Sequence, residues 1–430
     1  MTPADPTRSP GIANQPAIPR DMRALVLDGV GAEHLAVRSV PVPVAKSGQL
    51  LCRVDAAGIC TSVNKLVEQG PDHPLMYGWD LSTFPVIAGD EGSVTVVAVG
   101  DALRTRYRPG ERFAVQPAVD HEPIRDLSRY RDGGRSVNKI AVGYTLPGLL
   151  AEYVLIGEEV LAAGCLLPLP DDEIPAAHAA IAEPLSCVIS SHAHHLRLAQ
   201  ADRTMRRTAT SGIQPGSVVV IIGAGPMGRM HVDLSIAAQP SVLVVADVLD
   251  ERLAALRRGF GDRAAARGVR LETVNAATED LAATVDAVSE GRGADDVIVA
   301  VANADAVESA QRLLARYGVL NLFGGLPASR TDLALDGRLI HYREVNITGS
   351  SGGGPWDVIE ALRLMACGEI DAGAHIAHIG DLAHAPRLLE MARTHLIDGK
   401  AVVYPHRRLD SIMNVRRWDG DDERRHLTTS

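Results

Sequence analysis

The stretch "SVVVIIGAGPMG", residues 217–228, decides how this chain is read. An unbroken β-branched run, Val218 to Ile222, ends in Gly223, Gly225 and Gly228, and a helix-forming segment follows. A strand covered on both faces has this continuous apolar character, whereas a half-exposed strand would alternate. The glycine spacing then has a mechanical meaning. The first glycine allows a tight turn, the second lets the backbone approach a pyrophosphate, and the third lets helix and strand pack closely, with the helix N-terminus holding the anion. Pro226 and Met227 complete the loop.

The next apolar run ends at Asp247, nineteen residues beyond Gly228, where a carboxylate can accept hydrogen bonds from ribose hydroxyls. This predicts NAD as coenzyme, with Arg252 near enough to keep NADP open. A tight turn that binds nothing is the bland alternative; strand, glycines, helix and acid all standing in register count against it.

Outward from the loop, "SVLVVADV", "DERLAALRRGF", "DDVIVAVA", a helix expected over 306–317, and "GVLNLFGG" alternate strand with helix. That rhythm predicts a doubly wound parallel sheet, an α/β fold. Residues 22–115 instead read as short strands punctuated by Gly, Pro and Asp. After residue 348 the text is mixed, with "GSSGGGP" (349–355) opening a helix and Pro355 at its first position. Residues 1–21 read as a loose tail, and the last fifteen or so as polar and frayed.

Composition bounds the partners. A net charge of −10 argues against a nucleic-acid binder, whose footprint would be a basic face, and favours a small metabolite. No apolar stretch approaches the ~20 residues that span a bilayer, and no signal segment opens the chain, so neither membrane residence nor export is expected. The five cysteines show no CxxC pair, so no disulfide framework is indicated and a cytoplasmic enzyme is expected.

Further motifs are "AAGICTS" (57–62 from its second alanine), "AGDEGSVTVVAVG" (88–100), "PGLLAEYVLI" (147–156), "AEPLSCVISSH" (182–192) and "GKAVVYP" (399–405). Together with the glycine loop they resemble the medium-chain dehydrogenase/reductase superfamily, the zinc-dependent alcohol and polyol dehydrogenases, and most of all its L-sorbose-1-phosphate reductase branch. The resemblance covers roughly residues 22–405. It implies a β-rich GroES-like catalytic domain from both chain ends (22–189 and 348–430), a Rossmann coenzyme domain inserted over 190–347, a substrate cleft between them, and a homodimer or homotetramer.

It also implies site roles. Cys60 matches the first zinc ligand and Glu183 the glutamate ligand of the polyol branch. Ser62 matches the hydroxyl that relays the substrate proton. The segment at 88–92 normally reads Gly-His-Glu-Gly in the family, with the histidine on zinc; here Asp90 stands in its place and Glu91 is an alternative ligand or neighbour. Lys65 stands where the polyol enzymes often carry histidine, and either offsets the acidic charge or meets a substrate phosphate. Zinc accepts thiolate and carboxylate, so Cys60, Asp90 and Glu183 form a chemically acceptable though unusually anionic set, and manganese or magnesium are the harder-metal alternatives.

The bland reading of Asp90 and Glu91 is a turn between strands, with Cys60 a buried thiol. The family's structural zinc uses four close cysteines after the region of residue 115; none is present here, so one catalytic zinc and no structural zinc is expected. Arg131, Arg135 and Lys139 in that lobe read as a solvated loop or an anion-binding rim. His192, His194 and His195 read as a domain-junction feature, and the glycine run as a hinge or a phosphate nest.

The expected chemistry is hydride transfer between nicotinamide and a secondary alcohol or ketone of a polyol, sugar or sugar phosphate. The rivals are a metal-free reductase of the quinone-reductase kind, an NAD-retaining epimerase or eliminating enzyme, and a non-catalytic NAD-binding protein.

Overall fold

The computed structural model describes residues 17–427 apart from 121, 171–173, 201–203, 205 and 328. The elements that position the site are, in chain order, strand β1 (Leu50–Gly58), helix α1 (Thr61–Gln69), strand β2 (Gly92–Val99), helix α2 (Ala182–Ala193), strand β3 (Val218–Ile222), helix α3 (Pro226–Ala237), strands β4 (Val242–Asp247), β5 (Arg270–Asn275), β6 (Ala294–Val299), β7 (Leu314–Leu322) and β8 (Asn346–Gly349), helix α4 (Pro355–Ala366), strand β9 (Lys400–Tyr404) and helix α5 (Gly420–Leu427).

Strands β3 to β8 form a six-stranded sheet in the order β5-β4-β3-β6-β7-β8, every neighbouring pair parallel. All six residues of β4 are buried, as its uninterrupted apolar text requires of a strand covered on both faces. The chain leaves β3 with β4 on one side and β6 on the other, so the glycine loop sits where the strand order diverges, the place where open parallel sheets bind ligands.

The β-rich part is organised differently. Its largest sheet runs from Leu166–Pro168 through Arg112–Val115, β2, β1, β9 and Ile376–Asp381 to Met413–Asn414, with Tyr153–Ile156 also on β1. The two ends of the chain therefore meet in one sheet: Gly58 faces Val402 and Ala57 faces Val403 in antiparallel register. Leu50, Val54, Val94 and Val403 are fully buried beneath it. A side chain of this size contributes about 1.5–3 kcal/mol on burial, so the apolar face of the sheet holds the junction closed. Among the described residues no helix is long and apolar enough to cross a membrane.

Three expectations need correction or placing. The helix expected over 306–317 is Ala304–Ala310 with one tight turn, Gln311–Leu313; residue 314 already begins β7. Parallel pairing of β7 on β6, with a register shift at Ala294/Asp296, outweighs the helical preference of "LLAR". The chain end is not frayed up to residue 427. Trp418 is 1% exposed, its ring nitrogen donates to the Tyr404 hydroxyl, and the Glu423 carboxylate accepts from the Ala176 and Ala177 amides at 3.1 and 2.8 Å. Those are otherwise unpaired donors of a helix start, so an acidic side chain from α5 caps it. The expected tail falls outside the described residues up to 16, and its last member, Asp21, is in a strand.

Candidate active site

Helix α1 starts immediately after the β1 strand and the Gly58–Ile59 step. Cys60 occupies its N-cap position with extended backbone (φ −105°, ψ 140°), which throws the thiol off the helix start. The Ile59 amide donates to the Ala401 carbonyl at 2.9 Å and fixes that start against β9.

The Asp90–Glu91 loop is brought alongside by backbone. The Gly58 amide donates to the Glu91 carbonyl at 3.0 Å, and the Leu149 amide to the Gly89 carbonyl at 2.9 Å. Gly89 has φ +103° and a Cβ there would lie 2.6 Å from the Leu150 nitrogen, so both conformation and space demand glycine. A Cβ on Gly58 would meet Glu91 Oε2 at 2.1 Å. The result is that one ligand-type atom from each of Cys60, Asp90 and Glu91 lies within 4.8 Å of the others.

Glu183 arrives on the first turn of α2, a favourable place for an acid at a helix N-terminus. It accepts from the Cys187 thiol at 3.4 Å, one turn along the same helix.

Like charges crowd here in a dry place. Burial, with Glu91 next, pushes the Asp90 carboxyl up to about 6. Burial, then Glu91 and Asp90, pushes Glu183 up to about 8. The Cys60 thiol is raised well above its ordinary value by burial and then Asp90. Asp90 Oδ1 and Glu91 Oε2 are buried without a hydrogen-bond partner. Unpaired buried acceptors cost roughly 1–3 kcal/mol each, and a divalent cation among a thiolate and carboxylates would satisfy them.

One cation already stands in the cluster. Lys400 Nζ donates to Glu91 Oε1 at 2.6 Å and to the Ile59 carbonyl at 3.2 Å, with its side chain 6% exposed. Burial alone would lower the Lys400 pKa, but Glu91 and Cys60 raise it on balance, so it stays charged. Sequence reasoning assigned Lys400 no role, although it lies in the "GKAVVYP" motif. Lys65 is exposed on α1 and acts on His73, whose pKa falls through burial and then through Lys65.

Ser62 Oγ donates to Asp90 Oδ2 at 2.5 Å. This commits the serine proton to the carboxylate and leaves the serine lone pairs as acceptors.

At the glycine loop, Gly223 has φ +110° and a Cβ on Gly228 would lie 1.8 Å from the Gly223 carbonyl oxygen. By contrast a Cβ on Gly225 would meet only Arg252 Nη1, at 3.8 Å, so that glycine faces open space of the kind a phosphate group needs. Pro226 occupies the first turn of α3, and Met227 is half-buried against the neighbouring apolar cluster. Asp247 accepts from the Ala224 amide at 2.7 Å and the Leu249 amide at 3.0 Å, with Arg252 Nη1 3.8 Å away.

The remaining motifs resolve structurally. His192 Nε2 is 3.1 Å from His231 Nδ1, and His195 Nδ1 is 2.8 Å from the buried Asp296 carboxylate, so these histidines join α2 to α3 and β6. Arg131 pairs with Asp72 at the surface. In the cysteine-free lobe Tyr77, Trp79 and Tyr130 make edge-to-face contacts, and Arg129 lies over the Phe84 and Trp79 rings. Gly353 of the glycine run packs against Ser186 of α2.

A parallel coenzyme sheet beside a thiol–carboxylate cluster defines a nicotinamide-dependent oxidoreductase with a metal-type site. Residues 46–171 match the alcohol dehydrogenase GroES-like domain, and residues 226–367 match the zinc-binding dehydrogenase family. Mannitol-1-phosphate 5-dehydrogenase of Aliivibrio fischeri is 30% identical over 87% of this chain and 85% of its own. L-sorbose 1-phosphate reductase of Klebsiella pneumoniae is 29% identical over 81% and 80%. A candidate zinc-binding dehydrogenase of Sinorhizobium meliloti, solved with NADP bound, superposes with a TM-score of 0.68 at 26% identity, covering 90% of this chain and 99% of that one. The chain belongs to the zinc-type alcohol and polyol dehydrogenases of the medium-chain dehydrogenase/reductase superfamily.

Proposed function

We propose that the protein interconverts a secondary alcohol and a ketone on a phosphorylated polyol or sugar, with NAD as preferred hydride carrier. The observation that carries this reading is the convergence of Cys60, Asp90 and Glu91 within 4.8 Å, with Glu183 in electrostatic contact. Cys60, Asp90 and Glu91, the three that converge, would hold a divalent cation, zinc by the softness of the thiolate, with Glu183, expected as a ligand from family position, outside that close set. Bound there, such a cation supplies Lewis-acid polarisation of the substrate oxygen.

The protein's own part is placement. Lys400 neutralises Glu91 and so limits the negative charge of the cluster. Ser62, its proton pointed at Asp90 Oδ2, is placed to take the substrate hydroxyl proton as its own passes to that carboxylate, from which it can leave to solvent. The glycine loop and the start of α3 hold the pyrophosphate, and Asp247 the ribose. Asp247 at the end of β4, followed by the exposed and uncharged Val248 and Leu249, supports NAD, while Arg252, 3.8 Å from Asp247, is the group here that would favour NADP. The relatives named for mannitol 1-phosphate and sorbose 1-phosphate support the phosphorylated substrate class.

The test is a panel of polyols, sugars and their phosphates with NAD and NADP, run beside metal analysis of the purified protein. Turnover of a polyol phosphate with NAD, tracking bound metal, is the expected result. A protein that retains no divalent metal and gives no NADH fluorescence change would remove the basis of the reading.

A further inference from the structure

Helix α3 touches both halves of the site through one residue. The Arg229 amide donates to the Gly225 carbonyl at 2.9 Å, so its backbone closes the turn that begins at the open-faced glycine. Its side chain reaches the β-rich part. Nη1 donates to the Asp398 carbonyl at 2.6 Å and Nη2 to the Ala374 carbonyl at 3.1 Å, with the residue 8% exposed. The Asp398 carboxylate is 3.7 Å from Nη1, and the guanidinium lies over the Phe260 ring, 5.6 Å from its centre.

Those two carbonyls stand at the entry of adjacent parallel strands. Ile376 pairs with Lys400, and Ala374 and Asp398 each lie two residues before that pair. A Cβ on Gly399 would lie 2.8 Å from both the His375 carbonyl oxygen and Ala377 Cβ, so the link from Asp398 to Lys400 has no room to shift. Lys400 then donates to Glu91 Oε1 at 2.6 Å. One turn along α3 the buried Asp233 accepts from the Asp371 amide and from His375 Nε2, both at 3.0 Å. Residues four apart share a helix face, so Arg229 and Asp233 grip the segment 371–375 from the same side. A guanidinium taken out of water needs partners, and this one finds them only while the coenzyme helix and the strand of Lys400 stay in this register.

We infer that Arg229 is a positioning residue, which sets the coenzyme loop at a fixed distance and angle from the acidic cluster by clamping the start of the strand that carries Lys400. The inference rests on the function proposed above. Hydride transfer needs the carbinol carbon and the nicotinamide ring about 3–3.5 Å apart, and the two sheets each hold one of them. An error at this seam therefore slows the transfer and leaves each part able to bind its own ligand.

The experiment compares wild type, R229M and R229K on whichever polyol phosphate the panel identifies, with hydrogen or deuterium on the reacting carbon. R229M is expected to lower kcat about tenfold or more and to raise the deuterium effect on kcat, while the Kd for NADH and the bound metal stay within about twofold of wild type. R229K keeps the charge without the fork, and is expected to fall between the two. A second measurement needs no substrate: in chemical denaturation of R229M, K400M and the double variant, R229M is expected to cost less in the K400M background than alone, as for residues that act on one another. Turnover and isotope effect of R229K at wild-type values would overturn the inference, and R229K alone decides the kinetics if R229M does not fold. Additive losses in the denaturation cycle would overturn it too, as would an R229M protein that loses NADH or metal together with turnover, which assigns the side chain to packing. If wild type oxidises no alcohol in the panel, the proposed function fails, and the denaturation cycle then decides whether Arg229 holds Lys400.

Discussion

The coenzyme loop draws every part from one continuous stretch, residues 223–247, whereas the acidic cluster draws Cys60, Asp90, Glu183 and Lys400 from four distant places in the chain. The loop works through backbone geometry: a turn at Gly223, an open face at Gly225, a close approach at Gly228. None of these needs a charge partner from elsewhere. The cluster packs carboxylates and a thiol together out of water, a costly arrangement unless cations are added. Lys400 supplies one, and the unpartnered Asp90 Oδ1 and Glu91 Oε2 mark the place for another. Local backbone chemistry can thus stand alone, but buried like charges make the cluster depend on the whole fold.

The largest expected effects test whether the two regions are separable. Cys60→Ala should cut turnover about 10³-fold or more by removing a ligand, while NADH still binds. Gly228→Ala should abolish NADH binding, because its Cβ would lie 1.8 Å from backbone, while metal content is retained. Fluorescence titration and metal analysis on both variants settle the matter; if each variant loses both properties, the regions form one unit and the contrast drawn here is wrong.

A smaller effect probes the cation already present. Lys400→Met leaves Glu91 buried and unpaired, and removing one partner of a buried pair costs about 3–5 kcal/mol. Arg252→Met, beside the loop at 3.8 Å from Asp247, removes a weaker contact and should cost about 1 kcal/mol or less. Chemical denaturation of both measures the difference, and equal losses would break the contrast.

The smallest effect is in pH. Asp90 and Glu183 have folded pKa values of about 6 and about 8, above their ordinary 3.8 and 4.5. Between those limits these two carboxyls bind more protons in the folded, metal-free protein than in the unfolded chain, so their contribution to stability falls as pH rises from about 4 to 8, while the buried His192 and His231, lowered below 6.5, contribute the opposite slope at the acid end. A bound cation takes the place of the protons, so the metal-loaded protein should lose less stability over the same range. Melting curves of wild type and Asp90→Asn/Glu183→Gln, with and without chelator, check this; a metal-free wild type whose pH slope above about 6.5 matches that of the double variant contradicts the assigned burial of the acids.

The contrast also explains what could be read in advance. The strand, glycine turn and helix around Gly223 and Gly228 were legible because such signals are local. Cys60, Asp90 and Glu183 were candidates only through family position, since Asp-Glu-Gly by itself reads as a turn; the fold brings Cys60 and Asp90 together with Glu91. Lys400 gave no signal: a lysine at the start of a strand gains meaning only from what faces it. The helix expected to run to 317 yielded to pairing with β6, and the chain end expected to fray is fixed by Trp418 and Glu423 finding partners some 240 residues away.

By itself the sequence determined the parallel sheet and the tight glycine turn after its first strand, because hydrophobic period and glycine spacing act over a few residues. Only the tertiary structure decided that β9 closes on β1 and delivers Lys400 to Glu91, and that the Gly143 turn is pressed against Gly89 beside Asp90. Burial and charge pairing are properties of neighbours in space, and no stretch of chain states who those neighbours are.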